Sequence, residues 1–238
     1  MACSLVAKNL QISRGKTVVV DNFSAELKSG EIVAMVGRNG AGKSTIMSVL
    51  TGNLVAASGT VSIASNNDPK TDDAASSVAF VSQGRPLYTG ITVKQHVQLA
   101  KDLNENFKLD WATEKITSLR IPMNAKISQL SGGQHTQVAL IIALARGKRF
   151  MVLDEPMADL DPVVKIWVRK LLEYAAKEEN VGILVSSHTV SDLSPVLSHL
   201  WVIEHGELLV SVPRETIENE EHGDFEKFVL DHLTKEGI

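Results

Sequence analysis

A chain of 238 residues with 44% hydrophobic and 22% charged side chains has the composition of a folded protein and the length to bury a sizeable core. Its formal charge of −4 and pI near 6.0 argue against a general nucleic-acid binder, which is more often basic. One cysteine, Cys3, excludes an internal disulfide and a paired-thiolate metal site, and the longest apolar run, Val138–Ala145, falls far short of the ~20 residues that span a bilayer.

The N-terminal residues lack the apolar centre of a signal peptide. Ser4–Ile12 and Lys16–Leu27, rich in β-branched residues, read as two strands around a turn at Arg14–Gly15. Glu31–Gly37 reads as a buried strand, followed by a glycine loop and a helix over Lys43–Thr51. Gly59–Ala64 and Ser77–Gln83 are two further strands, and Ser65–Ser77 between them is a polar surface loop with room for a helical turn. From Thr92 the strand signals vanish. Thr92–Leu103 and Asp110–Leu119 have helical spacing with Thr92 and Asp110 as caps, and a third helix runs from Ser131 to about Ala145.

Strand–helix alternation then returns. Arg149–Pro156 is a strand, Pro162–Glu178 a helix opened by proline, and Val181–His188 a strand. After a short helix, His199–Val212 reads as two strands around His205–Gly206, and the acidic tail Pro213–Ile238 as helical. The expected fold class is therefore α/β, with a mainly parallel core sheet and an N-terminal antiparallel β part. Residues 84–146 are expected to form a helical lobe inserted into an α/β body of residues 1–83 and 147–238.

Gly37–Thr45, "GRNGAGKST", satisfies G-x-x-x-x-G-K-[ST] at the required place, after a buried strand and opening a helix. Glycines at 37, 40 and 42 let the backbone of Gly37, Arg38, Asn39, Gly40, Ala41 and Gly42 wrap a phosphate chain with its N–H groups. The helix N-terminus adds positive potential there. Lys43 supplies a cation for the β- and γ-phosphates, Ser44 a hydroxyl for Mg²⁺, and Thr45 a further phosphate contact. Phe150–Pro156 is an apolar strand ending in two acids. Beside such a loop, Asp154 is placed to hold Mg²⁺ and Glu155 to polarise an attacking water as general base. Gln83 and His188 also follow strands, at the ends where open α/β sheets bind ligands. Gln83 is then a candidate for Mg²⁺ or the water, and His188 for the γ-phosphate.

A second glycine-rich helix start, "LSGGQ" at Leu130–Gln134, can present N–H groups and a hydroxyl to a phosphate. In the order Gly37–Thr45, Gln83, Leu130–Gln134, Phe150–Pro156, Ala158–Asp161 and His188, nearly the whole chain resembles the nucleotide-binding subunit of ATP-binding-cassette (ABC) transporters. The resemblance implies the P-loop ABC ATPase fold, with ATP and Mg²⁺ as ligands. It also implies a head-to-tail dimer with a second copy or a related ATPase. In that dimer Ser131, Gly132, Gly133 and Gln134 face the nucleotide on the partner's phosphate loop. Lys43, Ser44 and Thr45 become the Walker A contacts, Asp154 and Glu155 Walker B, Gln83 the Q-loop residue, Asp161 the D-loop acid and His188 the switch histidine. The family's transmembrane permease would be a separate chain, so the protein is expected in the cytoplasm, peripheral on the membrane through that partner. Leu87 and Tyr88 are the candidates for contacting it.

The sequence departs from the family in three places. No aromatic stands where the family stacks on adenine; Arg14 lies nearest and is the candidate to stack there. The turn after LSGGQ reads "HTQ" rather than basic residues, and Asp159 occupies a position that is often small. The expected function is ATP-driven transport, with export favoured by the short tail after Val212. The alternative is an ABC ATPase acting on nucleic acid or ribosomes, but no coiled-coil insertion, second cassette or cysteine-rich insertion supports it, and no nucleic acid is expected as partner. A P-loop kinase or GTPase is disfavoured by LSGGQ and by the lack of an N-K-x-D guanine motif.

Overall fold

The strands divide by patterning into two kinds. In the computed structural model, which describes residues 3–15, 17–65, 74–84, 87–220 and 223–234, β1 (Cys3–Arg14), β2 (Thr17–Lys28) and β4 (Ser58–Ser65) form an antiparallel sheet in the order β2-β1-β4. Along β2 single buried residues are separated by exposed ones, as expected of a strand with one face to solvent. By contrast β3 (Ile32–Val36), β6 (Phe150–Leu153) and β7 (Gly182–Ser187) are buried at every residue. They lie inside a six-stranded sheet of order β5-β6-β7-β3-β8-β9, with β5 spanning Val78–Val81, β8 His199–Glu204 and β9 Glu207–Pro213. All its pairings are parallel except β8 with β9. Continuous apolar runs are the mark of parallel strands covered on both faces.

Seven α-helices complete the described chain: α1 (Lys43–Leu50), α2 (Val93–Asp102), α3 (Leu109–Ser118), α4 (Gly132–Ala145), α5 (Pro162–Lys177), α6 (Arg214–Glu220) and α7 (Phe225–Thr234). Thr92 caps α2 through a reciprocal pair with Gln95, as its sequence suggests. Asp110 does not cap α3. The cap position is Lys108, whose N–H is drawn to the Ala145 carbonyl at 2.8 Å, so the helix starts earlier. Asp110 instead lies in the first turn, where its charge meets the positive end of the helix. The tail is helical only from Arg214, because Val212 and Pro213 still pair with β8. Of the loop over residues 65–77, residues 66–73 lie outside the described set, and Ala74–Ser77 forms a short 3-10 turn.

Three apolar clusters hold these elements. One lies between the large sheet and α4, α5 and α7; a second lies between the two sheets and α1. The third is shared by α2, α3 and α4. Helix α4 serves two clusters. Ala139, Leu140, Ala143 and Leu144 face the sheet, while Val138, Ile141, Ile142 and Ala145 face α2 and α3. A helix apolar all round has no solvent face, and α4 is buried from Thr136 to Ala145. Trp111 and Trp167 pack against both of these clusters and tie α3 to α5. Among the described residues no helix is long and apolar enough to cross a membrane.

Candidate functional site

The C-terminal ends of β3, β5, β6 and β7 open on one cleft of about 500 Å³. Its floor is the loop between β3 and α1. Gly42, at φ 98°, is the cap of α1 and has no side chain to offer the first turn. The N–H groups of Lys43, Ser44 and Thr45 therefore face the cleft without a side-chain cap, and the first helical bond is made by Ile46 to the Gly42 carbonyl. The loop is braced from behind. A Cβ at Gly37 would overlap the Ile203 carbonyl, and Gly206 in the β8–β9 turn donates to the Ala41 carbonyl at 2.9 Å.

Lys43 is 7% exposed, and its Nζ donates to the carbonyls of Gly37 at 2.7 Å and Arg38 at 3.3 Å. Burial pushes this ammonium below the usual lysine range, and the carboxylates of Glu155 and then Asp154 oppose that shift. Asn39, Gly40, Ala41, Gly42, Ser44 and Thr45 line the cleft with it. Gly37 and Arg38 do not; Arg38 turns outward, with its guanidinium 3.8 Å from Glu204.

The opposite wall is acidic. Asp154, 5% exposed, follows β6 and is fixed twice: its N–H donates to the Val81 carbonyl at 2.9 Å and its Oδ1 accepts from Ser186 Oγ at 2.6 Å. The same Ser186 oxygen accepts from the Glu155 N–H at 2.8 Å. Glu155 holds a left-handed backbone, φ 49°, which costs a non-glycine residue energy and re-aims its side chain into the cleft. Its Oε2 lies 3.0 Å from Nδ1 of His188, just past β7. Gln83, exposed just beyond β5, completes the lining with Val19, Ala158 and Asp159.

The structure thus gathers Lys43, Ser44, Thr45, Gln83, Asp154, Glu155 and His188 around one space. It keeps Ser131, Gly132, Gly133 and Gln134 out of it. Those four open α4, where Ser131 and Gln134 cap the helix reciprocally, and they adjoin Asp161, which caps α5 by accepting from Val163 and Val164 at 3.0 Å each. Arg14 ends β1 opposite Thr17, and its side chain lies outside the described residues. Sequence reading passed over Ser186. A fully buried serine inside an apolar strand was the available signal, since a buried hydroxyl needs a partner.

Among the described residues no group of three or more His, Cys, Asp and Glu could hold a metal ion alone. The donors that do line the cleft, the Ser44 hydroxyl and the Asp154 carboxylate, fit a Mg²⁺ ion that keeps few protein ligands and takes phosphate oxygens for the rest.

The sequence model of the ABC transporter family matches residues 20–158. The chain belongs to the ABC transporter family. Within that family, the thiamine import ATP-binding protein ThiQ of Shigella sonnei (strain Ss046) is 32% identical over 193 residues, covering 78% of this chain and 82% of that protein. The lipopolysaccharide export system ATP-binding protein LptB of Escherichia coli (strain K12) is 27% identical over 227 residues, covering 91% and 94%. A solved ATP-binding subunit of an ABC transporter superposes with a TM-score of 0.81 at 21% identity, over 97% of this chain and 99% of that one. A dimeric ATP-binding cassette bound to ADP and Pi superposes with a TM-score of 0.74 at 22% identity, over 88% and 98%. These likenesses make the α/β body and its N-terminal antiparallel sheet those of an ABC ATPase cassette.

Proposed function

We propose that this ABC ATP-binding subunit hydrolyses ATP in the cleft and passes the resulting conformational change to a separate membrane permease. The protein is an ATPase of the ABC class. The observation that carries the site is the convergence of Lys43, Asp154, Glu155 and His188, from three strand ends, on one uncapped helix start. In this reading the first-turn N–H groups of α1 and the loop from Gly37 to Gly42 cradle the phosphates, and Lys43 exchanges its two carbonyl partners for phosphate oxygens. Ser44, Asp154 and Gln83 would hold Mg²⁺, and the ion would neutralise phosphate charge. Glu155 takes the proton of the attacking water, and His188 fixes the Glu155 carboxylate and reaches the terminal phosphate.

Ser131, Gly132, Gly133, Gln134 and Asp161 lie outside the cleft, so we assign them to the nucleotide of a second cassette packed head to tail. For Arg14 we retain the adenine contact as a proposal. Residues 84–146 act as the lobe that carries the second helix start, on a body of residues 1–83 and 147–238. The permease contact lies where Leu87 and His96 line a second cleft of about 150 Å³ with Phe80, Ala139 and Arg146. Both ring nitrogens of His96 are buried there with no hydrogen-bond partner among the described residues, and Tyr88 stands 66% exposed at 5.7 Å from its ring. Through that contact the subunit sits peripherally on the cytoplasmic face.

Export is the direction we assign. The relatives include both directions, an export cassette matched over 94% of its length and an import cassette over 82%, so the assignment stands on the flux experiment. Co-purification with the permease, followed by substrate stimulation of ATPase and flux measured in vesicles of known orientation, tests function and direction together. Uptake into the cytoplasmic side would reverse the assignment. An Mg-ATPase rate indistinguishable from that of Glu155→Gln would remove the catalytic reading.

A further inference from the structure

Three carboxylates line the cleft, and the mechanism uses only two of them. Asp154 is held by Ser186, and Glu155 by His188. Asp159 is exposed to the cleft, and among the described residues no hydrogen bond or ion pair engages its side chain. Its position is nevertheless fixed. The turn that carries it is pinned by Met157 and Leu160, 4% and 9% exposed, and Asp159 itself adopts φ 59°, a backbone that Asp tolerates better than most residues. Against these three acids the lining offers one lysine, Lys43. An uncompensated anion thus faces a site built for polyanions.

Such a charge repels any nucleotide, but not equally. A metal-free triphosphate carries more negative charge than its Mg²⁺ complex, so a fixed carboxylate weakens it more. We propose that Asp159 is a specificity-determining residue, a charge filter that makes the cleft prefer the metal-bound triphosphate over the free one. The proposal rests on the nucleotide reading of the cleft given above. It concerns a residue to which neither Mg²⁺ coordination nor proton transfer was assigned.

Calorimetric titration of the full chain with ATP in EDTA, and with ATP in excess MgCl₂, measures both affinities. Asp159→Asn and Asp159→Gly remove the charge while accepting a positive φ. In both variants metal-free ATP is expected to bind about five-fold tighter than in the wild type, Mg-ATP less than about two-fold tighter, and added salt to shrink the first difference. Equal tightening of both forms would show a general effect on the turn and overturn the filter, as would no change in either. If the wild-type chain binds neither form, the nucleotide reading itself fails and takes the proposal with it.

Discussion

Helices α1 and α4 both begin at glycines, yet their first turns are finished in different ways. At α1 the cap is Gly42 in a left-handed conformation, with no side chain to satisfy the N–H groups that follow. At α4 the cap is Ser131, whose Oγ accepts from the Gln134 N–H at 3.2 Å while Gln134 Oε1 accepts from the Ser131 N–H at 3.1 Å. The first start leaves its donors to a ligand. The second is closed on itself, keeping the Gly132 and Gly133 N–H groups and the serine proton as what it can still give. Surroundings follow the same division: α1 opens into a cleft lined by Lys43 and three carboxylates, whereas among the described residues nothing lies within 4 Å of a Cβ built at Gly132. On the proposed reading, one chain carries a full phosphate site at α1 and half of a second at α4. A half-site of that kind would gain its ligand from another molecule, which is the physical argument for the proposed dimer.

The largest expected effect separates chemistry from both helix starts. Glu155→Gln should lower the steady-state ATPase rate about a thousand-fold, while ATP still binds and a dimer accumulates on size-exclusion chromatography with Mg-ATP. A monomer under those conditions would break the assignment of α4 to a partner's nucleotide. Next, Lys43→Ala should weaken ATP binding about a hundred-fold by calorimetry, because the loss is of a charge-assisted contact in a buried place. Its melting temperature should change little, since the Nζ partners are only loop carbonyls.

Ser131→Ala sharpens the contrast from the other side. Loss of the cap should cost about 1 kcal/mol and lower the melting temperature by about 2–4 °C. Turnover should fall about ten-fold with ATP affinity of the isolated chain unchanged. Were that affinity to fall as well, the two starts would serve one nucleotide within a single chain, and the division drawn here would be wrong. The smallest effect is of pH. Burial lowers the Lys43 pKa in the free protein, and a bound phosphate favours the ammonium and raises it. ATP affinity should then hold steady at low pH and decline as pH rises through the lowered value, with proton uptake on binding seen in buffers of different ionisation enthalpy.

Much of this contrast is legible in the chain itself. Gly37–Thr45 stands out because a phosphate cradle needs glycine at fixed intervals and a lysine at its end, and few other sequences satisfy that spacing. Asp154 and Glu155 are legible because apolar strands rarely end in paired acids. The start of α3 was misplaced because a distant carbonyl, that of Ala145, captures the Lys108 N–H, and no local pattern encodes such a bond. Ser186 was missed for a related reason. Its two partners, Asp154 and Glu155, come from the neighbouring strand 32 and 31 residues earlier.

The sequence alone determined which groups are available: a lysine and glycines suited to phosphate, two acids suited to metal and water, and a serine–glycine start without a lysine. Those are properties of residue type and near-neighbour spacing, which the backbone converts directly into turns and helix ends. Tertiary structure decided which of these groups meet. Parallel pairing of β5, β6, β7 and β3 brings Gln83, Glu155 and His188 to the loop of Lys43, whereas the packing of α4 between two apolar clusters holds Ser131 away from it. Strand register and helix docking are set by burial summed over the whole core, so no short stretch of the chain could have announced them.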